Sequence, residues 1–406
     1  MKRRSESIYA GALTLVSVAV AVVCGELVLR AITPDRYYVF PPGLERTFRP
    51  VPDTMPGING NSRFIINEDG VRGPSFSDRD TFRILAVGGS TTECLYLDQA
   101  EAWPQLLQDM LNAEREQSDI WVGNLGKSGH DTRHNKLQVE RLLDQYPRID
   151  VVVLLEGVND MRFWLNSFDN EELAAERYVT DEAVLDQAFA TRPGRTVEFV
   201  RKGDHQSWQC VSCEEPFYKR TEIWRRLRIL KRAYFGSGEE AIVQDEAGDI
   251  YLTARRRRRE AVKENRLPNL ASGLAAYARN LEGIIDAVQS RRARVVFMTQ
   301  PSIWRSDLPP DLDSLLFMGG PIGGDFYETA QKRDAYYSVS VLADAMKQYN
   351  DEMLRVCKAR GVLCLDLASQ IPKDTSSLYD DVHFNEAGSA KVARALADFL
   401  TKSHVF

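Results

Sequence analysis

Near the carboxyl end, Asp380 and His383 stand three apart in Tyr379-Asp380-Asp381-Val382-His383-Phe384-Asn385. Far upstream, Gly88-Gly89-Ser90-Thr91-Thr92 follows the apolar run Ile84-Leu85-Ala86-Val87. A hydroxyl, an imidazole and a carboxylate supply a nucleophile, a base and a group to orient the base, the trio needed to attack an acyl carbon. The short spacing of Asp380 and His383 across a turn can set the carboxylate against the ring. Two further blocks lie between: Asn124-Leu125-Gly126-Lys127-Ser128-Gly129, and Gly157-Val158-Asn159-Asp160 after Val151–Leu155. A backbone N–H at a glycine and an Asn amide are donors suited to an oxyanion. One Ser in a glycine-rich turn is ordinary. Four such blocks in this order are far more specific than any one alone.

The four blocks resemble those of the SGNH (GDSL-type) hydrolase superfamily, over roughly 81–165 and 270–406. The resemblance implies a flavodoxin-like, three-layer α/β/α domain with a parallel sheet, and acyl-ester chemistry that needs no cofactor. Carried over by position, Ser90 is the nucleophile, His383 the base and Asp380 its orienting acid. The N–H groups of Ser90 and Gly129 and the amide of Asn159 are the oxyanion donors. One departure is visible: the family's Gly-Asp-Ser reads Gly88-Gly89-Ser90 here, which removes a local hydrogen-bonding group.

Other readings of the same residues do less well. Gly126-Lys127-Ser128 imitates the end of a phosphate-binding loop, but Trp121 stands where that loop needs its first glycine. The nucleophile elbow Gly-x-Ser-x-Gly fails because Thr92 follows Ser90 at the second position. His130 and His134 have helical spacing, yet zinc needs more ligands than this pair, so no metal is expected. His130 adjoins Gly129 and is expected to line the pocket without a catalytic role. Asp160 is expected to be structural, and Asp381 to point away from His383 as a solvated residue. The run Arg255–Arg259 reads as a solvated helix face, with contact to anionic head groups or acidic glycan as the alternative.

The elements that must position these residues follow from periodicity. Phe82–Val87, Ile120–Val122, Val151–Leu155, Arg294–Met298 and Val362–Leu367 are short apolar runs of the parallel-sheet kind. They alternate with predicted helices over Trp103–Glu116, Lys136–Tyr146, Leu270–Ser290, Leu342–Arg360 and Ala387–Leu400. Such alternation implies a parallel sheet, whose ligands sit at the carboxyl ends of the strands. Ser90, Gly129 and Asn159 each follow such an end, independently of any family resemblance.

The chain has 406 residues, 44% hydrophobic, with a net charge of −6. That gives ample core, and nothing in the balance suggests nucleic acid as a partner. Met1-Lys2-Arg3-Arg4 precedes an uncharged, mostly apolar run from Ile8 to Gly25. Its length suits a spanning helix, which needs roughly 17–25 residues, better than the ~7–15 of a signal-peptide core, the main rival. The leading basic residues predict a cytoplasmic amino terminus and the bulk of the chain outside, with Glu26 and Arg30 pairing at the outer interface. Of six cysteines, Cys210 and Cys213 suggest a local disulfide, and Cys357 with Cys364 is a second candidate pair.

The expected organisation is an anchor at 1–30, a Pro- and Gly-rich segment at 31–80 packed through Tyr37, Tyr38, Phe40 and Phe48, and a hydrolase-like domain at 81–406. An insertion at about 162–268 interrupts that domain. Its Trp164, Trp208 and Trp224 offer flat apolar faces to a sugar or acyl chain, core packing being the ordinary role for any one of them. A loop at about 302–325, with Pro309-Pro310 and Gly319-Gly320-Pro321, also follows a strand end and is expected to border the site. The functional expectation is a membrane-anchored serine esterase acting on a small-molecule or glycan ester. The alternatives are an O-acyltransferase on cell-surface glycan, and a non-catalytic glycan-binding protein on the same fold.

Overall fold

The computed structural model describes residues 2–32, 36–50, 53–115, 119–167, 181–192, 195–202, 205–210, 218, 221–224, 226, 227, 230, 241–244, 247–320, 322 and 335–406. In chain order the elements are α1 (Lys2–Ile32), β1 (Glu45–Arg49), β2 (Ser62–Ile65), β3 (Phe82–Gly88), α2 (Ser90–Glu93), α3 (Trp103–Glu114) and β4 (Ile120–Asn124). Then come α4 (Thr132–Leu142), β5 (Val151–Leu155), α5 (Val158–Ser167), α6 (Asp181–Ala188), β6 (Thr191–Arg192), β7 (Arg195–Lys202), β8 (His205–Cys210), β9 (Ala241–Gln244), α7 (Ala247–Glu260) and β10 (Val262–Glu264). The remainder is α8 (Ala271–Ser290), β11 (Arg294–Met298), α9 (Pro310–Asp313), β12 (Ala335–Tyr337), α10 (Val339–Arg360), β13 (Leu363–Leu365) and α11 (Glu386–Lys402).

The central sheet runs β13-β11-β5-β3-β4, every pairing parallel. Numbered along the chain, its strands stand in the order 2-1-3-4-5, the flavodoxin-like arrangement whose switch point lies between the first and third strands, here β3 and β5. Val151–Leu155 is buried throughout, as a strand covered on both faces must be. Helices α3 and α11 pack together as one layer, and α8 packs with both α4 and α10 as the other. Trp103, Trp121 and Trp304 are fully buried in this core.

The segment before β3 packs on the domain. Strand β1 pairs antiparallel with β2 and parallel with β9, so a piece of the insertion closes its small sheet. Tyr38, Phe40 and Phe48 are buried, and Phe40 and Phe48 both meet Phe64 edge-on. Helix α1 holds a 21-residue stretch, Ala12–Ile32, of mean hydropathy 2.4 and with none of it buried, long and apolar enough to cross a membrane. The Glu26–Arg30 pair forms, at 2.7 Å. Cys357 and Cys364 are joined in a disulfide that ties the end of α10 to β13. The Cys210–Cys213 expectation falls outside the described residues.

Two sequence expectations need correction here. Helix α4 begins at Thr132 and not at Lys136, because Asp131 caps it: its side chain accepts the Arg133 N–H at 3.0 Å, and the His134 ring reaches back to the Asp131 N–H at 3.2 Å. A His completes this capping box where Glu or Gln is the recognisable residue. The arginine run is a solvated face only in part. Arg255 and Arg258 are buried, while Arg256 and Arg259 are exposed. Arg255 donates to the carbonyls of Leu315, Thr54 and Tyr379 at 3.0, 2.6 and 3.3 Å. Arg258 donates to Tyr337 O at 3.0 Å. Long guanidinium donors satisfy carbonyls that loops leave without partners.

Arg255→Ala strands those three carbonyls, each unsatisfied buried acceptor costing about 1–3 kcal/mol. The variant is expected to unfold at lower urea and lower temperature than the parent. Arg256→Ala, on the exposed side of the same helix, is expected to stay within about 0.5 kcal/mol. Equal effects in the two denaturation curves would contradict the assignment.

Candidate active site

Strand β3 ends at Gly88, with φ of +157°, where an added Cβ would lie 2.8 Å from Leu155 O. Only glycine lets β3 run this close to β5 and then turn. Ser90 opens the short helix α2 with Gly89 as its N-cap residue. Its N–H is therefore a first-turn donor without an intrahelical acceptor. Gly89 has a reason of its own: a Cβ there would lie 2.5 Å from Asn159 Nδ2 and 3.1 Å from His130 O. The missing side chain at Gly89 thus makes room for the Asn159 amide.

The candidate base, His383, comes from the other end of the chain. His383 Nε2 lies 2.7 Å from Ser90 Oγ. Its Nδ1 lies 2.7 Å from Asp380 Oδ2. Asp380 is completely buried, and its Oδ1 accepts the N–H groups of Val382 and His383 at 3.0 and 2.8 Å. A carboxylate on Nδ1 keeps the proton there and leaves Nε2 as an acceptor for the Ser90 hydroxyl. Tyr379 N donates to His383 O at 3.0 Å, and Asn385 caps α11 by accepting the Gly388 N–H at 2.9 Å. The turn carrying Asp380 and His383 is thereby fixed at both ends. The rings of Phe317 and Tyr379 lie nearly parallel to the imidazole, with centroids 6.4 and 5.6 Å away.

Asp381 does point away from His383, but it is not solvated. It is fully buried, accepting from Trp304 Nε1 at 2.9 Å and from Phe317 N at 2.8 Å. Burial, followed by the neighbouring Asp380 charge, pushes its carboxyl above the ordinary range. Asp381 therefore ties the described part of the loop, 302–320, to the turn of Asp380 and His383, and that loop borders the candidate site through Phe317.

The oxyanion candidates converge on the same strand ends. Asn159, in the first turn of α5, donates one amide hydrogen to His130 O at 2.7 Å. Its second amide hydrogen has no acceptor among the described residues and is a candidate oxyanion donor. Gly129 has φ of +80°, and a Cβ on it would meet open space. Its loop is held by Glu93: the buried carboxylate accepts the Ser128 N–H at 2.8 Å and the Ser128 hydroxyl as well. Gly126 packs so tightly on the backbone of Thr92 and Glu93 that a Cβ there would collide. Burial pushes the Glu93 carboxyl up and the Lys127 ammonium down, the latter to about 8. Lys127 Nζ donates to Val39 O at 3.2 Å.

His130 does not line the pocket with its ring. Its Nε2 lies 3.0 Å from Gln187 O and Nδ1 2.8 Å from Gln138 Nε2. Its ring stacks on that of His134, and burial first, then the His134 and Lys127 charges, holds its pKa well below the usual range. Asp160 is structural, as expected: it accepts the Thr132 N–H and hydroxyl. Burial and the Asp131 charge push it up to about 8. Trp164 packs against Gly273, and Trp224 meets Tyr218 edge-on. An open groove of about 580 Å³ lined by Ser77, Gln108, Asn112 and Trp121 shares no residue with the Ser90 site.

Sequence reasoning missed Glu93, Phe317 and Tyr379. Glu93 stands one helical turn after Ser90, the only hint available, and nothing in the sequence names Ser128 as its target.

No protein-family model matches the chain, and no curated protein matches it. Among solved structures, an α/β hydrolase enzyme from the metagenome of Lake Arreo, Spain, is similar at 14% identity, covering 79% of this chain and 95% of its own, with a TM-score of 0.38. An acetylxylan esterase from Geobacillus stearothermophilus matches at 13% identity, 79% and 94% coverage and a TM-score of 0.38. A carbohydrate acetylesterase from Sinorhizobium meliloti matches at 9% identity, 80% and 100% coverage and a TM-score of 0.38. Likeness at this level carries no functional argument, so the reading of the site rests on its geometry.

Asn159→Ala is expected to lower kcat by ~10²–10³ with a smaller change in KM, the cost of removing one oxyanion donor. Gly89→Ala, which displaces the same amide, is expected to act in the same direction. Steady-state kinetics on an activated ester check both, and an unchanged kcat in Asn159→Ala would reduce that residue to a turn former.

Proposed function

We propose that this chain is a serine ester hydrolase of the SGNH type. Its catalytic domain would be held outside the cytoplasm by α1, and its substrates would be acyl esters, acetyl esters among them, of a small molecule or a glycan. The observation that carries the reading is the unbroken hydrogen-bonded line from Ser90 Oγ through His383 to Asp380, at 2.7 Å for each link. In this reading Ser90 Oγ attacks the ester carbonyl as His383 Nε2 takes its proton. The tetrahedral intermediate places its oxyanion among the N–H groups of Ser90 and Gly129 and the amide of Asn159. His383 then returns the proton to the leaving alcohol. An acyl group remains on Ser90, and water activated by the same imidazole releases it. Asp380 holds the His383 tautomer throughout and stabilises the imidazolium. No step needs a metal or organic cofactor. The anchoring part of the proposal is supported by the apolar stretch Ala12–Ile32 and by Lys2, Arg3 and Arg4 ahead of it.

Ser90→Ala is expected to melt like the parent protein while losing turnover of a short-chain aryl ester on the order of 10⁴–10⁶-fold, as removal of a triad nucleophile does elsewhere. Wild-type turnover by a well-folded Ser90→Ala protein would overturn the proposal.

A further inference from the structure

Beyond α1, a second segment is built to meet the membrane. The chain is helical at 222–224, 226, 227 and 230, within the insertion. Thr221 caps this stretch, its hydroxyl accepting the Trp224 N–H at 3.2 Å. Its first two N–H groups are taken by the anchor: Glu26 accepts from Glu222 N at 3.0 Å and from Ile223 N at 3.1 Å. A side chain of α1 thus pins the segment to the place where the uncharged run ends. Ile223 lies against α1, its Cδ1 4.0 Å from where a Cβ on Gly25 would be.

Ile223, Leu227 and Leu230 have the i, i+4, i+7 spacing that puts them on one side of a helix. The stripe begins on the anchor and then continues bare: Leu227 and Leu230 are 52% and 51% exposed. Trp224 meets the ring of Tyr218, itself 45% exposed, an aromatic pair of the kind that favours a membrane–water boundary. The sequence here is basic, with Arg225, Arg226, Arg228, Lys231 and Arg232, and holds no acidic residue over 223–232. An apolar stripe, interfacial aromatics and cationic residues together are what a helix lying in the plane of an anionic bilayer requires.

We propose that the helical stretch at 222–224, 226, 227 and 230 lies in the lipid interface beside α1, with Leu227 and Leu230 among the acyl chains, and that the basic composition of this part of the sequence favours anionic head groups. The inference rests on the reading that α1 spans the membrane. The catalytic domain is then held at two points, and its orientation over the bilayer is set.

The test uses the full-length chain reconstituted in vesicles. An environment-sensitive fluorescent amino acid replaces Leu227, Leu230 or, as a reference in the middle of α1, Val16. The vesicles are phosphatidylcholine alone or with phosphatidylglycerol, each with and without brominated acyl chains. Probes at 227 and 230 are expected to shift to the blue and lose most of their emission to bromines placed just below the head groups. The loss should be larger with phosphatidylglycerol, and the increment should vanish when Arg225, Arg226 and Arg228 are changed to Gln. Quenching at 16 with water-like emission at 227 and 230 would overturn this proposal alone, as would protection of 227 and 230 by a second copy in cross-linked dimers. Quenching that ignores phosphatidylglycerol would overturn the anionic-lipid assignment. An unquenched probe at 16 would instead defeat the anchor reading on which it rests.

Discussion

Strand β3 is hydrogen-bonded on both edges, and its two registers decide where the site can be. Gly88 stands opposite Leu155 on one side, and Ala86 opposite Asn124 on the other. The three segments that leave the sheet there, carrying Ser90, Gly129 and Asn159, therefore depart at nearly one level. A one-residue slip in a parallel strand buried on both faces would turn every side chain over, so this register is strongly specified. Lys127 N donates to Gly88 O at 3.0 Å and Leu125 N to Ala86 O at 2.8 Å, continuing the pairing into the loop that carries Gly129. The switch point of the sheet and the candidate oxyanion donors coincide for this reason.

His383 is brought to Ser90 under a different constraint. A buried carboxylate loses several kcal/mol of hydration unless hydrogen bonds replace it. Asp380 recovers this from two N–H groups of its own turn and from the imidazole it orients. The same turn buries a second acid, Asp381, whose partners come from Trp304, Phe317 and Met318. Two acids side by side thus face opposite ways, one toward the imidazole and one toward the loop that brings Phe317 over it. That loop and the turn also share Arg255, which spans the carbonyls of Thr54, Leu315 and Tyr379. The amino-terminal segment, the insertion and the turn of Asp380 and His383 are tied together by one guanidinium.

Much of this was legible in the chain. Strand runs of apolar residues placed Ser90, Gly129 and Asn159 at strand ends without any structure, and β5 and β11 match their expected bounds, Val151–Leu155 and Arg294–Met298. The Cys357–Cys364 pair, a candidate on condition that the helix end and the next strand meet, is formed. What was not legible depends on distant partners. Asp381 and the arginine run read as solvated because charge is usually solvated. Their burial is set by carbonyls and N–H groups from loops far away in sequence, which no local pattern reports. Glu93 holding Ser128 is of the same kind, and so is Gly89, whose missing side chain makes sense only once the Asn159 amide is seen beside it. Helix α4 was placed late because its cap uses Asp131 and His134, a pairing without the usual Glu or Gln.

The most direct test of the account is the reaction of the full-length protein with a fluorophosphonate, followed by mass-spectrometric mapping of the adduct. A Ser90 raised in nucleophilicity by His383 should carry the phosphonyl group as the single modified residue. Labelling should fall sharply in His383→Ala and less in Asp380→Asn, since the imidazole takes the proton and the carboxylate only holds the ring. A folded protein that stays unlabelled, or whose adduct maps to another residue, would contradict the assignment of Ser90 as nucleophile.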